Sequence, residues 1–139
     1  MSGNGVIVWM GPVSTANLSH VALPVGWTIL TISQEVVAPG RPAAQGLTPT
    51  DFRTYAASLG ADPLGALMQK AGVGVDQAVL ASFSAGHGLL DPLLFANAGD
   101  SRIQGVYAAD SYYGLDIKKG YERHARSCIA TGSKFWLST

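Results

Sequence analysis

Apolar positions along this chain come in short bursts separated by polar or helix-patterned stretches. Five bursts stand out: GVIVWMG (residues 5–11), WTILTIS (27–33), AVLASFS (78–84), IQGVYAADS (103–111) and KFWLST (134–139). They are rich in β-branched and aromatic residues, and several are almost continuously apolar instead of alternating. Strands covered on both faces, as in a parallel sheet, have this pattern. Between them the apolar residues change to 3–4 spacing. Residues 50–70 predict a helical stretch capped by Thr48 or Thr50 and broken near Asp62-Pro63. A second helix is expected from about Ala85 to Ala96, with a kink or early end at Pro92, and a third from about Leu115 to Ala130. Residues 12–26 and 35–49 are rich in Ser, Pro, Gly and Ala and predict loops.

Strand, crossover, strand, four times over, predicts an α/β domain: a five-stranded parallel sheet with helices on both faces, a three-layer sandwich. The length of 139 residues suits one domain with one core. No internal repeat, linker or low-complexity tract divides it. Ligands of open parallel sheets bind at the carboxyl ends of the strands, where strand order reverses. The stretch VLASFSAGHG (79–88) lies at such an end. Its Ser82-Phe83-Ser84-Ala85-Gly86 is a relative of the pattern G-x-S-x-G. A sharp turn from strand into helix has room only for small residues two places either side of the central one, and Ser82 and Gly86 meet that need. The backbone N–H of Ala85, opening the helix, would face a developing oxyanion. The bland alternative is a serine that merely caps a helix.

At these residues the chain resembles the α/β-hydrolases, and the resemblance runs in order along nearly its whole length. VIVWMGP (6–12) resembles the strand whose following loop supplies a second oxyanion donor. Pro12 has no N–H, so the resemblance points to Gly11 or Val13. VLASFSAGHG resembles the nucleophile elbow, with Ser84 as nucleophile. The resemblance implies the strand order 2-1-3-4-5. The family's acid usually follows the fifth strand; Asp110, which ends the strand after the elbow, is an alternative acid at a position some members use, or else a helix-cap or turn residue. In the family the catalytic histidine follows a strand beyond the fifth, so the resemblance places the base outside residues 1–139. The expected domain is therefore truncated at its C-terminal side, or packs against a missing C-terminal segment or another chain.

The chain's own histidines fit the base poorly. His87, three residues after Ser84, falls about one helical turn along and is expected to pack or to face a substrate. His124 is expected on the solvated face of the third helix. His20, in NLSHVALP, is a surface-loop residue or a pocket-lining one. Tyr107, Tyr112 and Tyr113 flank Asp110; Tyr112 is a candidate for the pocket rim. The lone Cys128 excludes an intrachain disulfide and is expected to be a buried thiol.

Composition narrows the partners. Only 13% of residues are charged, against roughly 25% in soluble domains, and the net charge is zero. Lys and Arg gather only weakly, around Lys118–Arg126, which argues against nucleic acid as the main partner. No metal-ligand spacing or nucleotide fingerprint is present, so neither a metal nor a cofactor is expected. No run approaches a membrane span and the N-terminus lacks a basic leader, so a cytoplasmic protein is expected. Two functions remain: a serine hydrolase acting on a small-molecule or polymeric ester or amide, and a non-catalytic structural or assembly module with a degenerate hydrolase fold. Selectivity in the first would reside in loops 14–26 and 35–49.

Overall fold

A computed structural model describes residues 4–11, 22–109, 119–131 and 136–138. The domain is α/β, with parallel strands joined by helices. Strands β1 (Asn4–Met10), β2 (Trp27–Ile32), β3 (Val75–Phe83) and β4 (Ile103–Ala109) lie in the order β2-β1-β3-β4. Every pair is parallel, with Val8 level with Leu30 on one side and Leu80 on the other. The expected fifth strand, 134–139, is reduced to a three-residue segment. β5 (Trp136–Ser138) pairs with Tyr107–Ala109 on the outer side of β4. The full-length sheet thus has four strands, and β1 and β3 are its centre.

The helices are α1 (Gln34–Val37), α2 (Pro49–Ser58), α3 (Pro63–Ala71), α4 (His87–Ala96) and α5 (Lys119–Thr131). The expected break at Asp62-Pro63 separates α2 from α3. Both begin with a proline whose missing N–H costs nothing in a first turn. Thr48 caps α2 in a reciprocal box with Asp51: the Asp51 N–H donates to Thr48 Oγ1 at 3.3 Å and the Thr48 N–H to Asp51 Oδ2 at 2.8 Å. Asp62 caps α3 by accepting the Gly65 N–H. Pro92 does not end its helix; α4 continues through it to Ala96. The region 35–49 is less irregular than expected. It contains α1 and a 3-10 turn at Ala43–Gln45, and the Gln34 side chain donates to the Arg41 and Pro42 carbonyls.

One apolar cluster holds these pieces together. Val6, Val8 and Met10, Ala78 and Leu80, and Val106 and Ala108 line one face of the sheet, all completely buried. Against them pack Phe52 of α2, Leu64 and Leu67 of α3, Leu89, Leu90, Leu93 and Leu94 of α4, and Tyr121 of α5. Burying each such leucine contributes about 1.5–3 kcal/mol. α4 is therefore the central helix, and its four leucines set its position over β1 and β3.

Polar anchors fix the remaining geometry. Asn97, just after α4, accepts the Leu64 N–H and donates to Asp62 and Asp100. Arg102 donates to both carboxylates, at 2.7 Å to Asp100 and 3.1 Å to Asp62. This network joins the start of α3, the end of α4 and the start of β4. At the other end of α5, buried Asp91 reaches from α4 and accepts the N–H groups of Gly120 and Tyr121 at 3.0 and 3.1 Å. Burial pushes the Asp91 carboxyl above its usual pKa, against the pull of those two N–H donors. The two helices touch so closely that a Cβ on residue 120 would fall on the Asp91 carbonyl oxygen.

Asp91→Ala removes the acceptor for two N–H groups at a buried helix start. A loss of about 1–3 kcal/mol is expected in urea unfolding, with Asp91→Asn, which keeps one acceptor oxygen, losing less. Equal stability of Asp91→Ala and the parent chain would show that the contact carries no weight.

Candidate functional site

The carboxyl end of β3 turns without a loop into α4. Phe83 is still extended, with φ −134° and ψ 133°. Ser84 then takes φ +53°, the only positive φ of a non-glycine residue among the described residues. A 3-10 turn, Ser84–Gly86, leads directly into His87 and α4. Backbone of this kind costs a non-glycine residue on the order of 1–3 kcal/mol and persists only where the surroundings impose it.

The surroundings here are the end of β1. A Cβ at position 86 would fall on the Met10 carbonyl oxygen, so only glycine lets the turn pass over the strand end. Two places before the serine, Ser82 is completely buried between Met10 and Ala108 of the flanking strands. The sequence requirement for small residues at 82 and 86 therefore has a direct steric cause at each. Ser84 itself is half-buried and Ala85 packs its side chain against the core.

The alternative of a helix-capping serine does not match this geometry. The residues at the cap positions of the 3-10 turn and of α4 are Phe83 and Gly86, and neither end has a side-chain cap. The positive end of α4 points instead to the region of Ser84.

Of the two expected loop donors, Gly11 is described. It is buried, and its N–H donates to the Ile32 carbonyl at 3.2 Å, continuing the ladder to β2. That engagement leaves Val13 as the other candidate. Val13, Asp110, Tyr112, Tyr113 and His20 lie outside the described residues. Tyr107 is described and 44% exposed on β4, on the face opposite to the leucine-packed one.

Both described histidines are interior. His87 is 2% exposed at the first position of α4, and burial lowers its pKa, with the Arg53 charge acting in the same direction. His124 corrects the expectation of a solvated position: it too is 2% exposed. Its Nδ1 accepts the Gly99 N–H at 3.2 Å and its Nε2 lies 3.3 Å from the Cys128 sulfur. With Nδ1 accepting, the neutral ring carries its proton on Nε2 and directs it at the thiol. Burial lowers the His124 pKa and raises that of Cys128, so this is a neutral packing pair. The signal that could have placed His124 inside was Tyr121, His124 and Cys128 at 3–4 spacing; the charged neighbours Glu122, Arg123 and Arg126 obscured it. Among the described residues no group of three or more His, Cys, Asp or Glu side chains could hold a metal ion, and no helix is long and apolar enough to cross a membrane.

Two outcomes follow from this geometry. Ser84→Gly relieves the left-handed backbone, and a gain of about 1 kcal/mol in unfolding free energy is expected; Ser84→Ala, which keeps a Cβ, should gain nothing. A Ser84→Gly variant no more stable than Ser84→Ala would rule the strain out. Acid acts through the histidines. Both have folded-state pKa values below the ordinary 6.5, so the folded chain binds fewer protons than the unfolded one. Their contribution is complete above 6.5 and is lost as pH falls through the depressed values, by up to roughly 1.4 kcal/mol per pH unit each. His124→Asn keeps an acceptor for the Gly99 N–H and removes one titration, so its stability should decline less steeply below pH 6.5.

Comparison of the chain with known protein families, with curated proteins and with solved structures finds no match.

Proposed function

We propose that this chain is the core of an α/β-hydrolase-type domain and that Ser84 is the nucleophile of a serine hydrolase acting on an ester or amide. The observation that carries the reading is the backbone of Ser84: a non-glycine residue at φ +53°, half-exposed, between a buried parallel strand and the start of the central helix. In this reading Ser84 Oγ attacks the carbonyl carbon, the C–O or C–N bond of the leaving group breaks, and an acyl-enzyme forms. The Ala85 N–H, at the positive end of α4, and a donor from the loop at Val13 hold the oxyanion. Asp110 orients a histidine supplied from outside residues 1–139, where the family resemblance places it, and burial of His87 and His124 is in keeping with that. The substrate is a small-molecule or polymeric ester or amide. The same reading makes β5 the fifth strand of the sheet and puts a second helical layer on its other face. Thr31 and Ala81 of that face are each 7% exposed, and Tyr107 on the same face, 44% exposed, is surface that such a layer would cover.

A second reading is favoured by the histidines themselves. With both described imidazoles packed away, a non-catalytic module on the same fold accounts equally for the interior, though not for the strained serine.

The test is covalent labelling with added base. Incubated with a fluorophosphonate, the 139-residue chain should label slowly at Ser84, identified by mass spectrometry. Added imidazole should accelerate the reaction by supplying the proton acceptor, while Ser84→Ala should not label. The chain alone should hydrolyse p-nitrophenyl esters barely above background, since oxyanion donors without a base leave only residual catalysis. No imidazole-dependent labelling, or labelling retained in Ser84→Ala, would remove the hydrolase reading.

A further inference from the structure

Charge is distributed unevenly along this nearly neutral chain. Five of its nine Lys and Arg residues fall between positions 118 and 134, where Glu122 is the only acid. α5 carries three of them, Lys119, Arg123 and Arg126, on one side. Its inward positions, Gly120, Tyr121, His124 and Cys128, are buried. Its outward positions include Lys119, Arg123 and Arg126, all exposed, at i, i+4 and i+7, so the three cations follow one another along about 10 Å of helix. With Phe95, Glu122 and Ser127 they line a shallow groove of about 460 Å³ between α4 and α5. The ion pairs among the described residues use Arg41 and Arg102 and none of these three.

We propose that this groove docks an acidic peptide segment of a partner protein. The Arg123 guanidinium lies over the Phe95 ring, 4.9 Å from its centre, which orients its planar fork before any partner arrives. A pre-oriented fork loses less freedom on pairing with a carboxylate than a free side chain does. Phe95, 47% exposed, offers an apolar contact beside the cations. Carboxylates spaced along an extended peptide match three cations in a row, and an apolar residue among them matches Phe95. Glu122, in the middle of the row, sets the register by repelling a carboxylate opposite it. An anionic membrane fits less well. The apolar face of α5 is already used against α4 and the core, so little remains to enter a bilayer. Glu122 and the concave shape also oppose a flat anionic surface. The groove is independent of the Ser84 reading.

The experiment uses a fluorescein-labelled hexapeptide of Glu and Asp around one Leu, titrated with the 139-residue chain and followed by anisotropy. Binding is expected to be at least tenfold tighter at about 20 mM than at about 300 mM salt, as the charges are screened. Arg123→Glu with Arg126→Glu should weaken it at least tenfold, with the fold checked by thermal unfolding. Lys70→Glu, an exposed cation on α3, should leave it unchanged. Absence of binding, equal binding by the double variant, or sedimentation with phosphatidylserine vesicles in place of peptide binding would each overturn the proposal.

Discussion

The rest of this structure depends on the contact between Gly86 and the carbonyl of Met10. β1 and β3 are neighbours, with Met10 level with Ser82. A chain leaving β3 must therefore cross the end of β1 within four residues, and a side chain at position 86 would meet backbone there. With glycine the crossing is direct. α4 then starts immediately above the strand ends, and Leu89, Leu90, Leu93 and Leu94 fall onto the sheet. Moved outward by one side chain, the helix would separate those leucines from Val8 and Leu80, and the interior would lose its central layer. The left-handed backbone at Ser84 is the local consequence of the same tight crossing. Its strain, on the order of 1–3 kcal/mol, is smaller than the burial of any two of the four leucines.

A second set of constraints operates at the opposite end of α4. Asn97 and Arg102 join Asp62 and Asp100, so the start of α3, the end of α4 and the start of β4 form one polar unit. Asp91 makes the corresponding link from the middle of α4 to the beginning of α5. α4 is thus anchored by apolar burial along its length, by charge at its end and by a buried carboxylate toward α5. Its first turn, beside Ser84, has no side-chain cap and is entered through the 3-10 turn, whose Ser84 and Ala85 carbonyls accept the His87 N–H.

The parallel sheet and the strand–turn–helix junction were legible in the sequence because each has a local signature, whereas the order of the strands through β4 came only with the resemblance to the α/β-hydrolases. Nearly continuous apolar runs specify parallel strands, although β4 alternates buried and exposed positions, and small residues flanking a serine specify a tight crossing. The capping residue Thr48 and the break at Asp62-Pro63 are likewise local. What was not legible depends on partners far along the chain. His124 is surrounded in sequence by charge, yet the Gly99 N–H and Cys128 meet it inside. Gly11 offered a free N–H to a sequence reading, but the neighbouring strand takes it through the Ile32 carbonyl. α1, four residues long, has no apolar face that a periodicity could reveal. The length of β5 depends on pairing with Tyr107–Ala109, which nothing within residues 134–139 specifies.

The two functional readings differ in what they ask of residue 84. A module that uses the fold only as scaffold needs a tight turn, and glycine at 84 as well as at 86 would make that turn without strain. Serine occupies neither cap position of that turn. A nucleophile at this turn has a use for the strain: positive φ takes residue 84 out of the alternation of the strand, at the sheet end where α4 begins. The left-handed backbone at residue 84 is therefore the feature that separates the readings. The buried histidines bear only on where a proton would go in the hydrolase reading, and leave that backbone argument untouched.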